Sequence, residues 1–156
     1  MIYVFDTSSI NILKDYYPKS HRAFWRNFTA MIEAGNIISV REVYKELDGK
    51  VDRPHIQEWI QNNRNIFLPP SSEETLFVRE IFSVSHFKYL LKPRSVLTSR
   101  PIADPFVIAA AKLRQGCVIT EEEKKDNAAK IPNVCEHFGV ECDNLEGFLQ
   151  RQGWEF

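Results

Sequence analysis

The sequence predicts an α/β sandwich built on a largely parallel sheet of four or five strands. Short apolar runs at Ile2–Phe5, Ile37–Ile38, Ile66–Leu68 and Cys117–Ile119 alternate with longer segments whose apolar residues recur at helical spacing. The first run, IYVF, is apolar at every position rather than every second one. That is the pattern of a strand covered on both faces, as in parallel sheets. Ligands of such sheets bind beyond the carboxyl ends of the strands, so the residues just after each strand are the ones to inspect.

In chain order, Thr7, Ser8 and Ser9 offer caps for a short helix over Ile10–Tyr16, stopped by Pro18. Ser20 opens a helix to about Ala34 that carries Phe24, Phe28, Met31 and Ile32 on one face, and Gly35 closes it. After the strand at Ile37–Ile38, Ser39 is placed to cap a helix carrying Val43 and Leu47, ending at Asp48–Gly49. A helix over Arg53–Asn63 presents Ile56, Trp59 and Ile60, and the strand at Ile66–Leu68 stops at Pro69–Pro70. Ser71 or Ser72 with Glu74 starts a helix reaching about Leu91. Asp104–Pro105 reads as a cap and first turn for a helix to Gln115, ended by Gly116 before the strand Cys117–Ile119. A short helix at Val134–His137, a strand at Val140–Cys142 and a last helix from Asn144 complete the chain.

A chain of 156 residues fits a single domain over 1–156, and 44% hydrophobic with 26% charged residues excludes wholesale disorder. The formal net charge of −1 excludes bulk charge as the means of holding a polyanion, so any such binding needs a local patch. No apolar run approaches the ~18 residues of a membrane helix. Asp6 breaks the N-terminal run too early for a secretory leader. Cys117, Cys135 and Cys142 match no zinc spacing and read as free thiols of a reducing, cytoplasmic protein.

Carboxylates fall near strand ends in four separate segments. Asp6 follows the first strand, and Glu42 and Glu46 follow the second. Asp104 opens the helix before the last core strand, and Glu121, Glu122 and Glu123 come just after that strand. Clustered carboxylates repel one another unless cations lie between them, and hard divalent metals with oxygen ligands remove that cost. Each residue also has a plainer role: Asp6 or Asp104 as helix caps, Glu42 and Glu46 as an exposed helical face with Glu46 paired to Lys50, and the glutamate run as a solvated loop. The order and context of all four segments favour the metal reading.

The pieces VFDTSSI (Val4–Ile10), SVREVYKEL (Ser39–Leu47), ADPFVIAAA (Ala103–Ala111) and VITEE (Val118–Glu122) resemble the PIN-domain nucleases. IPNVCEHFGV (Ile131–Val140) is similar to a narrower group of stand-alone bacterial and archaeal PIN-like proteins without an assigned role. The resemblance spans the chain in order and implies a Rossmann-like three-layer sandwich. It also implies a metal-dependent nuclease site with Asp6, Glu46, Asp104 and Glu122 as catalytic and metal-holding acids. Ser8 matches a hydroxyl supporting the first acid, and Thr120 the small polar residue before the fourth. The fourth acid of the family is usually aspartate, and here Glu121 competes with Glu122 for that place. Proline after Asp104 is unusual among PIN domains at large but fits the narrower group.

The implied activity is hydrolysis of RNA by Mg²⁺ or Mn²⁺, held singly or as a pair. Many bacterial members are toxins of toxin–antitoxin pairs, so an antitoxin protein and a homodimer are the implied protein partners. The alternative is a non-catalytic PIN-like module that binds RNA or protein through a degenerate metal site. Between Ile81 and Ala103 there is no acidic residue, and the stretch leads straight into Asp104. Its Lys88, Lys92, Arg94 and Arg100, together with Arg41 after the second strand, are the candidate phosphate contacts. Two other folds with acids atop a parallel sheet fit less well. A receiver domain needs paired acids after the first strand, and a haloacid-dehalogenase-like phosphatase needs a second Asp where this chain has Ser8.

Overall fold

A computed structural model of the chain describes residues 1–90 and 102–156. Five strands, β1 (Tyr3–Phe5), β2 (Ile37–Val40), β3 (Phe67–Leu68), β4 (Cys117–Ile119) and β5 (Glu141–Asp143), form one sheet of order β3-β2-β1-β4-β5. Every pairing is parallel, with Tyr3 opposite both Ile37 and Cys117, Ser39 opposite Phe67, and Val118 opposite Cys142. The chain builds outward from β1 to β3, then returns to add β4 and β5 on the other side. The strand order therefore reverses between β1 and β4, where such sheets open a crevice at their carboxyl edge.

The described helices are α1 (Thr7–Asn11), α2 (Arg22–Glu33), α3 (Arg41–Leu47), α4 (Pro54–Asn62), α5 (Ser72–Ser83), α6 (Asp104–Leu113), α7 (Ile131–Phe138) and α8 (Leu145–Gln152). Short 3-10 turns lie at Ile12–Asp15, Arg64–Ile66 and Ser85–Leu90. They cover both faces of the sheet, as the unbroken apolar run of β1 requires. On one face Phe148 of α8 meets Tyr3 and Phe5 edge-on at 5.0 and 5.3 Å, and Phe28 of α2 meets Phe5 at 5.4 Å. On the other, α6 packs against β1, β2 and β4, with α5 and α7 against it. Ala109, Ala110 and Ala111 of α6 are all buried, and their small side chains let the helix approach the strands closely. Phe5, Phe24, Phe28 and Phe148 are among the largest fully buried side chains of the core. Among the described residues no helix is long and apolar enough to cross a membrane.

Several boundaries differ from the sequence expectation, each for a local reason. α1 begins at Thr7 rather than Ile10, because Asp6 itself caps it by accepting the Ser9 N–H. Ser39 does not cap α3; its hydroxyl donates to the Phe5 carbonyl at 2.6 Å and ties β2 to the end of β1. α5 is capped by Ser71, as expected, but stops at Ser83 and passes into a 3-10 turn. Asp104 is the first residue of α6 rather than its cap, a position taken by Ala103 without a side-chain bond. α6 ends at Leu113, and β5 starts one residue later than the sequence suggests. Gly116 joins α6 to β4 where a Cβ would lie 2.4 Å from the Ile2 carbonyl oxygen. Close approach, rather than an unusual φ, is what requires glycine there.

Candidate functional site

Asp6 sits at the carboxyl end of the central strand and is only 3% exposed. The backbone around it is fixed from both neighbouring strands. The Asp6 N–H donates to Ile119 O at 3.1 Å, while the carbonyl before it accepts from Ser39. Its carboxylate accepts the Ser9 N–H at 2.8 Å and the Thr120 hydroxyl at 2.6 Å. The Ser8 hydroxyl lies 2.9 Å from both carboxylate oxygens. Each hydroxyl has one proton, and both are turned toward Asp6. Their lone pairs are thereby left to accept, from Glu121 N–H at Ser8 (2.9 Å) and from Glu122 N–H at Thr120 (3.1 Å). The loop after β4 is thus strapped to the Asp6 end of β1. Burial raises the Asp6 carboxyl above its ordinary 3.8, against the lowering pull of the Thr120, Ser9 and Ser8 bonds.

The other acids approach from separate elements. Glu46, in the last turn of α3, accepts the Thr7 hydroxyl, so it faces α1 rather than solvent. The alternative solvent-side pairing with Lys50 is not formed; the Lys50 ammonium reaches the Lys45 carbonyl instead. Asp104 is half-buried. α6 leads through Gly116 into the start of β4, so its opposite end, with Asp104, belongs to the carboxyl edge of the sheet. Glu122 turns its carboxylate to the Ile131 N–H at the start of α7 (3.3 Å), and Glu121 turns its own to Leu145 N–H at the start of α8 (2.8 Å). Negative charge at these two helix starts is stabilising in its own right. A cleft of about 190 Å³ opens beside Thr120 and Glu122, lined also by Pro132, Asp143 and Asn144.

The structure therefore joins Asp6, Ser8 and Thr120 in one hydrogen-bonded group, and Glu46 with Thr7 next to it. Among the described residues no three of His, Cys, Asp and Glu converge closely enough to hold an ion directly. The donor set nonetheless fits a hard cation, being carboxylate and hydroxyl oxygen throughout. A buried oxygen of Glu42 on the same helix as Glu46 also lacks any hydrogen-bond partner. Mg²⁺ commonly keeps several of its waters and touches only one or two carboxylates, which suits acids spaced in this way.

Of the candidate phosphate contacts, Lys88 is exposed, whereas Lys92, Arg94 and Arg100 lie outside the described residues. Arg41 is half-exposed and paired to Glu42 at 2.9 Å. Sequence reasoning missed Thr7 and the Ser9 amide, which the Asp6 cap would have revealed had the helix been started at Thr7. It also left Glu42 open as a solvent-face residue, although Glu42 is buried.

A parallel sheet of this strand order, with a hydroxyl-held aspartate at the end of its central strand, is a Rossmann-like α/β fold of the kind that the PIN resemblance implies. Residues 3–156 match the family described as Domain of unknown function (DUF4411), and the chain belongs to that family. No curated protein matches the sequence. Among solved structures, the chain is similar to one in the crystal structure of VapBC2 from Rickettsia felis bound to a DNA fragment from their promoter. The likeness has 16% identity and a TM-score of 0.49, and covers 92% of this chain and 98% of that one.

Proposed function

We propose that the protein, as one PIN-like domain over 1–156, is a metal-dependent endoribonuclease of the cytoplasm. The observation that carries this reading is the treatment of Asp6: a carboxylate buried at the reversal point of the sheet and oriented by two hydroxyls and an amide. A helix cap alone needs only the Ser9 amide. Ser8, two residues on, and Thr120, brought in just after β4, serve to aim the carboxylate.

In this reading Asp6, Glu46, Asp104 and Glu122 hold Mg²⁺ or Mn²⁺ largely through water. When bound, the ion supplies an activated water and neutralises charge on the phosphodiester. Ser8 and Thr120 keep the Asp6 carboxylate fixed and favour its ionised form against the effect of burial, and Thr7 holds the Glu46 carboxylate in place. Lys88, Lys92, Arg94, Arg100 and Arg41 contact flanking phosphates. An antitoxin protein and a second copy of the chain are proposed as partners on the strength of the sequence resemblance alone. The second reading, a non-catalytic module binding RNA or protein, draws on the spacing of the acids, since no three described ones converge.

Incubation with a mixed RNA pool separates the two, with Mg²⁺, with Mn²⁺ and with chelator, alongside a single-stranded DNA arm. The nuclease reading expects cleavage of RNA that appears with metal and vanishes with chelator. RNA bound but left intact under all conditions would establish the module instead.

A further inference from the structure

Glu42 is 6% exposed, yet its Oε2 is buried with no hydrogen-bond partner. Its Oε1 is held by the Arg41 guanidinium at 2.9 Å, which leaves the second oxygen uncompensated. A buried carboxylate oxygen with nothing to meet it carries a large desolvation cost, and a bound ion or water is one of the ways in which that cost is met.

The packing of α3 fixes where this oxygen lies. Successive helical residues turn by roughly 100°. Val43 and Leu47, both buried, therefore mark the stripe that faces the core, with Tyr44 off one flank and Glu42 and Glu46 together off the other. The Tyr44 ring packs against Phe67 of β3 with centroids 5.5 Å apart. Glu46 takes the Thr7 hydroxyl, just after β1. β3 and β1 lie on opposite sides of β2 in the sheet. The flank carrying Glu42 and Glu46 is thus the one turned toward β1 and Asp6.

We propose that Glu42 is a further acid of the cation site, offering its unpartnered Oε2 to the same divalent ion as Glu46 from the i, i+4 position on α3. The proposal rests on the metal-site reading above and extends it to a residue that the family motif does not mark. Arg41 then has a specific part: by holding Oε1 it leaves only Oε2 to the ion and neutralises part of the charge when the ion is absent. A merely structural Glu42 would exist to pair with Arg41, and the two views differ in what removal of the carboxylate does.

The test is calorimetric titration of the metal-free protein with Mn²⁺, without RNA, for the parent, Glu42→Gln and Glu42→Met, with melting measured in parallel. The expected result is Mn²⁺ affinity at least tenfold weaker in both variants, with metal-free melting unchanged or raised. Parent-like Mn²⁺ affinity in the variants would overturn the role of Glu42 while leaving the metal site standing. A parent that binds no Mn²⁺ would remove the site and this proposal together. Loss of fold in both variants would assign Glu42 to the Arg41 pair and equally overturn it.

Discussion

Asp6 has two jobs that pull its charge in opposite directions. As a cap, and as the cation ligand proposed above, it is needed ionised, yet burial favours its protonated form and lifts its carboxyl above 3.8. Between that value and its folded one, the native state holds a proton that the unfolded chain has lost. The stability associated with this group is therefore full below about pH 3.8 and is lost as pH rises through the folded value. Asp6→Asn keeps an oxygen for the Ser9 amide and removes the titration. Melting of the metal-free variant, compared with the parent from pH 4 to pH 7, should shift in favour of the variant as pH rises. A deficit of the variant that grows as pH rises would show instead that the charge itself stabilises the fold. Asp6 was legible in the sequence because it stands directly after a strand and so falls at the carboxyl edge, and Ser8 and Thr120 through the family resemblance. Glu42 was not, because two polar residues four apart on a short helix look like a solvent face. Only the placement of Tyr44 against β3 turns that face inward.

Elements were legible where a single signal dominated. Unbroken apolar runs located β1 and β4, and the Phe24–Phe28 spacing located α2, whose ends differ from expectation by two residues or fewer. The reading slipped where two groups competed for one task. Asp6 displaced the serines as cap of α1, and Ser39 was drawn to a strand carbonyl instead of a helix start. The glutamates after β4 could not be told from a solvated loop by composition; they meet the first amides of α7 and α8 only once those helices are docked. Gly116 shows how tightly one of these junctions is set. Gly116→Ala would press a methyl group into the Ile2 backbone and part β1 from β4 beneath the site. Overpacking against backbone with no room to yield should cost about 1–3 kcal/mol, read as a lower urea midpoint. An unchanged midpoint would mean that the strand edge gives way freely.

At the scale of the molecule, the sheet orders the acids rather than assembling them. Each arrives on its own element, and each is held by a neighbour: Asp6 by hydroxyls, Glu46 by Thr7, Glu122 by a helix start. On the proposed reading, a chain with net charge −1 and no general excess of base would draw RNA through this edge and the cations around it. Ligand binding to the native state alone stabilises by RT ln(1 + [L]/Kd), so a real site makes the whole fold report on metal. Asp104 offers the most direct test. It stands in the first turn of α6 and not at its cap, so Asp104→Asn leaves the helix start in place. The decisive experiment is Mn²⁺-dependent RNA cleavage by Asp104→Asn, paired with its melting temperature without and with Mn²⁺. The account predicts metal-free melting equal to the parent's or slightly higher, a smaller rise with Mn²⁺, and cleavage slower by orders of magnitude. A variant that folds normally, gains as much from Mn²⁺ and cleaves at the parent rate would contradict it.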